Sequence, residues 1–198
     1  MTNCPLIALT GGPGGGKTTF IEELCRDPAW AFRCAAVPEA IFTLRHINIS
    51  LNEKLFQRII VQMQMAMEDV LAQALGQDNS RLILCHRGSL DPLAYWLDRG
   101  WLEEEFFKYT ESTREVHYQR YVAVIHLVTA ADGAVEHYKM YPDAHRPETP
   151  QKAIHLDQLL QQVWNGHPRY FRIDNEGNNW LAKAQKAREI LMDLLLKK

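Results

Sequence analysis

The run Gly11-Gly12-Pro13-Gly14-Gly15-Gly16-Lys17-Thr18 meets every fixed position of the pattern G-x-x-x-x-G-K-[ST]. The short apolar run before it, PLIALT at 5–10, reads as a buried strand, and the residues after it, Lys17–Arg26, read as a helix with Phe20, Ile21 and Leu24 on one face. Glycines let backbone N–H groups curl around phosphate oxygens with no Cβ in the way. The amino end of the following helix adds the positive end of its dipole. Lys17 supplies a point charge for the β and γ phosphates, and the Thr18 hydroxyl is a ligand for Mg²⁺. A glycine-rich turn without a ligand is the bland alternative, and the flanking strand and helix argue against it. The loop therefore predicts a nucleoside triphosphate, ATP or GTP, with Mg²⁺, held by Gly11, Gly12, Pro13, Gly14, Gly15, Gly16, Lys17, Thr18 and the adjoining Thr19.

Further short apolar runs at 33–38, 81–85, 121–128 and 169–173 read as strands. Between them lie helical patterns at 51–75, 91–99, 103–119 and 149–164, and a last one at 178–196. In the helix at 51–75 the inward stripe reads Leu51, Leu55, Ile59, Met63, Met67, Val70, Leu71 and Ala74; in the last helix it reads Leu181, Ala184, Ala187, Ile190, Leu191 and Leu194. Five strands alternating with helices imply an α/β fold, a parallel sheet covered on both faces.

Composition narrows the function classes. Twenty-two basic residues against 24 acidic ones give a net charge of −2, without the basic excess of a nucleic-acid-binding module, so no nucleic-acid partner is expected. Four cysteines at irregular spacing, Cys4, Cys25, Cys34 and Cys85, predict reduced and mostly buried thiols. No stretch approaches a membrane span, and residues 1–9 lack the basic region and apolar run of a signal peptide, so the expectation is a cytoplasmic protein. The eight histidines form no ligand cluster. A Ras-like D-x-x-G does not follow the third strand, which runs into Cys85-His86-Arg87-Gly88, and no Asn-Lys pair occurs.

VPEA at 37–40, HRGSLDPLAYW at 86–96, RYVAVIHL at 120–127 and the segment 146–175 resemble, in the same order, AAA-type ATPase domains similar to bacterial nicotinamide-riboside kinase. The resemblance covers nearly the whole chain. It implies a P-loop NTPase three-layer sandwich over residues 1–198, a sheet of order 2-3-1-4-5, and a helical lid inserted at about 129–168. It fixes fold better than reaction, since members of this family include proteins described only as ATP- or GTP-binding.

Within that frame several residues become candidates. Glu39 follows the second strand and emerges at the carboxyl edge of the sheet, placed to accept a proton from an acceptor hydroxyl or to hold a metal-bound water. Arg87 follows the third strand and faces the same cleft; kinases of this fold place an acid beside such an arginine, whereas here His86 stands in the acid's position. Imidazole serves hard cations poorly, so this departure bears on metal binding. Asp91, ahead of Pro92, reads as a helix cap. Arg146 lies in the expected lid, where closing would bring it to the transferring phosphate; Lys139 is a weaker candidate. Asn175 follows the fifth strand and is either a reader of the nucleotide base or the pivot of a turn. Tyr95, Trp96, Trp101, Phe106 and Phe107 read chiefly as packing, with an acceptor pocket as the alternative. Lys17, Glu39, Arg87 and Arg146 are thus the expected catalytic set and Thr18 the metal ligand. The preferred reading is a small-molecule kinase with an unknown acceptor; the alternative is a nucleotide-dependent switch or binding module with little or no transfer activity.

Overall fold

In a computed structural model the chain is described over residues 4–45, 52–76, 80–139 and 148–196. The elements run β1 (Leu6–Thr10), α1 (Lys17–Arg26), β2 (Cys34–Val37), α2 (Ala40–Arg45), α3 (Glu53–Leu75), β3 (Leu82–His86), α4 (Asp91–Asp98), α5 (Glu103–Thr110), α6 (Arg114–Arg120), β4 (Tyr121–Leu127), α7 (Pro150–Trp164), β5 (Tyr170–Ile173) and α8 (Trp180–Leu196), with 3₁₀ turns at Val135–His137 and Glu176–Asn178. All five strands pair in parallel in the order β2-β3-β1-β4-β5. Along β1, Ile7 and Leu9 face α1 and α8, while Ala8 faces the opposite core, formed with α3, α4 and α7. Both faces of the strand are buried, which is why β1 reads as a continuous apolar run rather than an alternating one. The result is the expected three-layer α/β sandwich.

Three helical expectations change. The pattern at 103–119 is two helices: Glu111 takes the left-handed conformation with φ 54°, and Thr113 starts α6 by accepting the Val116 N–H. Its side-chain oxygen satisfies a donor that an uninterrupted helix would have satisfied with its own backbone. On α3 the buried stripe is Val61, Gln64, Glu68 and Ala72, and Val70 is 66% exposed. On α8 Lys183 is buried and Leu181 lies outside. In both helices a buried polar residue with partners sets the rotation, and apolar spacing does not register it. Of the segment 129–168 expected as a lid, residues 140–147, including Arg146, lie outside the described residues. Its later part is α7, whose Leu160, Val163 and Trp164 belong to the core.

Candidate functional site

Register brings the site together. Leu9 of β1 lies beside His86 of β3, and Val37 of β2 beside Cys85, so the residues following β1, β2 and β3 converge at one edge of the sheet. The glycine loop leaves β1 there. Gly16 has φ +91° and a Cβ on it would stand 2.3 Å from the Trp180 ring; one on Gly11, at φ +128°, would stand 2.1 Å from the Leu127 carbonyl oxygen. No other residue type fits either position. Lys17 folds back into the loop, donating to the carbonyls of Gly11 at 2.6 Å and Gly12 at 3.0 Å. Burial, with Arg87 adding to it, lowers Lys17 to about 7 against the pull of Glu39, Asp91 and Asp157. An anion in the loop would restore its charge.

Across the cleft, Arg87 adopts φ +72°, a left-handed conformation unusual for a side chain this large. Its N–H donates to the Leu9 carbonyl and its own carbonyl accepts from Gln64 Nε2 at 3.1 Å, so the backbone is held on both sides. The guanidinium reaches Glu39 Oε1 at 2.5 Å and Asp91 Oδ2 at 3.4 Å, and lies over the Tyr95 ring at 5.5 Å. Burial pushes Glu39 up, but Arg87, with His86 and Lys17, outweighs it and holds Glu39 at about 2. His86 Nε2 lies 2.9 Å from Thr18 Oγ1, and Nδ1 lies 3.3 Å from Glu39 Oε2 without an aligned hydrogen bond. Burial lowers His86 to about 4 despite Glu39, so the imidazole is neutral at pH 7.

Asp91 is not the helix cap expected of it but the first residue of α4. Leu90 holds the cap position of α4, and the buried Asp91 carboxylate accepts from the Thr10 hydroxyl at 2.9 Å, Trp164 Nε1 at 2.8 Å and the Gly88 N–H at 3.3 Å. On the other side of the loop, Asp157 of α7 accepts from the Gly12 N–H at 2.7 Å, the Thr129 N–H at 3.0 Å and Gln161 at 2.8 Å, and its Oδ2 lies 3.1 Å from His126 Nε2. Asn175 gives both amide hydrogens to the Thr129 and Asp132 carbonyls, at 2.7 Å each, and receives Lys183 at 2.8 Å. Its amide is engaged in shaping the turn beside the loop.

The cleft has a volume of about 330 Å³. It is lined by the glycine loop, Thr18 and Thr19 and also by Phe42, Phe56, Gln57 and Tyr95. Glu39, His86, Arg87 and Asp91 lie along the same cavity. Lys17, Thr18, Glu39 and Arg87 thus come together as expected; Trp96 and Phe106 are core residues, and Tyr95 alone of the aromatic group lines the cleft. Four residues were not anticipated. Gln64 holds the Arg87 backbone, Asp157 braces the loop, Trp180 packs on Gly16, and Glu148 lines the cleft with a buried Oε2 that has no hydrogen-bond partner among the described residues. A Gln and an Asp inside amphipathic helices carry no distinctive spacing, so only the tertiary contacts expose them.

A search of curated proteins finds no match. Among solved structures the chain is similar to deoxyadenosine kinase from M. mycoides. With products dCMP and a flexible dCDP bound, that protein is 16% identical with a TM-score of 0.59 over 96% of this chain and 99% of the other. With dCTP bound the figures are 15%, 0.56, 95% and 99%; with dATP bound they are 15%, 0.55, 94% and 98%. Likeness at this identity establishes the P-loop kinase-like fold. It does not carry the narrower likeness to nicotinamide-riboside kinase. A family model described as AAA domain matches residues 6–179, which is most of the sequence. The chain belongs to the AAA domain family.

Proposed function

We propose that this chain is a small-molecule kinase that transfers the γ-phosphate of ATP or GTP to a hydroxyl held near Glu39. The observation that carries the reading is one cleft of about 330 Å³ lined both by the phosphate loop and by Glu39, Arg87 and the aromatic side chains of Phe42, Phe56 and Tyr95. The acceptor oxygen would attack the γ phosphorus, the bond from that phosphorus to the β–γ bridging oxygen would break, and the hydroxyl proton would pass to Glu39. A carboxylate held at about 2 is a weak base. Phosphoryl transfer places little demand on base strength and much on positioning, which the Arg87 contact supplies. Arg87 also stands ready to turn toward phosphate oxygens, which would raise the proton affinity of Glu39.

Thr18 would hold Mg²⁺ through its exposed hydroxyl, together with phosphate oxygens and water, a donor set that suits a hard cation. When bound, Mg²⁺ neutralises charge on the β and γ oxygens. Arg146 is the residue we assign to the transferring phosphate, and Asn175 to shaping the turn near the base. We assign the lid to the stretch between β4 and α7. The deoxynucleotides bound by the kinases of like fold make deoxynucleosides the first acceptors to try. The histidine in place of an acid keeps one other reading in play, a nucleotide-dependent binding module with little transfer.

Lys17→Ala tests the nucleotide site. It removes the charge built into the loop, so calorimetric titration should show ATP and GTP affinity falling roughly hundredfold or more. Unchanged affinity for both nucleotides would contradict the site.

A further inference from the structure

His86 stands where the resemblance leads one to expect an acid, and its two ring nitrogens face different partners. Nε2 is 2.9 Å from Thr18 Oγ1 and Nδ1 is 3.3 Å from Glu39 Oε2. The ring is buried at the end of β3, with Phe42 edge-on at 6.4 Å. An ionised carboxylate only accepts hydrogen bonds. Nδ1 has no aligned hydrogen bond, but an ionised carboxylate oxygen 3.3 Å away repels a nitrogen lone pair and attracts an N–H, so the proton belongs on Nδ1. Nε2 then offers only a lone pair, and the 2.9 Å contact requires Thr18 to donate. With its hydrogen turned to the imidazole, the Thr18 oxygen keeps both lone pairs for the cleft. The opposite tautomer would place an N–H on that oxygen and consume one of them.

We propose that His86 is a positioning residue: Glu39 fixes its Nδ1–H tautomer, and its Nε2 orients the Thr18 hydroxyl so that the oxygen faces the cation and phosphates. One imidazole then lies between the Glu39 carboxylate and the Thr18 hydroxyl. The histidine contributes orientation rather than ligation, as outer partners of metal sites do. The inference rests on the reading of the glycine loop as a triphosphate site.

Two measurements on the full chain test it. Nitrogen-15 NMR of the ligand-free protein, with the His86 ring assigned through its loss in His86→Gln, should show a protonated δ nitrogen and an unprotonated ε nitrogen. A protonated ε nitrogen overturns the proposal. The second is the gain in ATP affinity on adding Mg²⁺, read by calorimetry. His86→Leu should reduce that gain about tenfold, equivalent to about 1.4 kcal/mol, with affinity in chelator nearly unchanged. His86→Gln, which keeps an acceptor for Thr18, should restore most of it. In the Thr18→Ala background His86→Leu should have no further effect on the gain. Equal loss of affinity with and without Mg²⁺ would mean that His86 merely supports the fold, and would overturn the proposal. Wild-type protein that binds no nucleotide would contradict the kinase reading itself; wild-type protein whose Mg²⁺ gain ignores His86 contradicts only this inference.

Discussion

Two carboxylate–imidazole pairs flank the glycine loop, and they are built in opposite ways. On the β4 side, Asp157 accepts from Gly12, Thr129 and Gln161 and has His126 Nε2 at 3.1 Å; the residue is 2% exposed. On the β3 side, Glu39 has Arg87 at 2.5 Å and His86 Nδ1 at 3.3 Å, is 14% exposed as a side chain, and lines the cleft. The first carboxylate is surrounded by donors from its own chain. The second shares its partners with an open cavity. Even the tautomers are opposed: His126 must present an N–H at its ε nitrogen to reach Asp157, whereas His86 presents one at its δ nitrogen. A charge enclosed by its own backbone braces the loop, while a charge left at a cavity wall is available to a ligand.

The contrast predicts which substitution harms the fold. Asp157→Ala leaves a buried imidazole and two loop N–H groups facing nothing, and should destabilise by about 3–5 kcal/mol. At roughly 2–4 °C per kcal/mol for a chain of this size, melting should fall by about 10 °C. Glu39→Gln, whose neighbours water can reach, should cost about 1–2 kcal/mol. If calorimetry gives equal losses for the two, the distinction between brace and cavity wall fails.

A smaller effect sharpens the same point through pH. Burial lowers both His86 and His117 to about 4 from the ordinary 6.5. The unfolded chain therefore takes up these protons first as pH falls. Stability should drop between pH 6.5 and 5, by about 1.4 kcal/mol per histidine per pH unit. Urea unfolding across that range should show the slope, and His117→Gln should remove about half of this two-histidine contribution while leaving the cleft alone. A stability flat with pH between those limits would mean that the imidazoles are not held neutral.

How far these features were legible in the sequence follows from the same division. The glycine loop is written in consecutive residues, and the sheet order came from the family resemblance that several segments carry together. Glu39 and Arg87 were legible because each follows a strand, and strand ends in a parallel sheet share one edge. Gln64 and Glu68 were not, because a polar residue on the inner face of α3 looks like an error in apolar spacing until its partners, the Arg87 carbonyl and the Tyr121 hydroxyl, are known. Asp157 sits in another helix, 145 positions from the Gly12 it braces, and nothing local marks it. The break at Glu111 was missed for a related reason: a left-handed glutamate before an Asn-free Ser-Thr pair carries no glycine to signal the turn.

Labelled ATP measures phosphoryl transfer within the cleft most directly. Incubated with γ-labelled ATP, Mg²⁺ and a panel of deoxynucleosides, sugars and other small alcohols, wild-type protein should transfer label to at least one acceptor. Glu39→Gln should reduce that transfer by about 10²–10⁴-fold while ATP affinity stays within a factor of about three, an energy under 1 kcal/mol. No labelled acceptor from wild-type protein that binds ATP, or transfer by Glu39→Gln at the wild-type rate, would contradict the claim that Glu39 and the glycine loop form one transfer site.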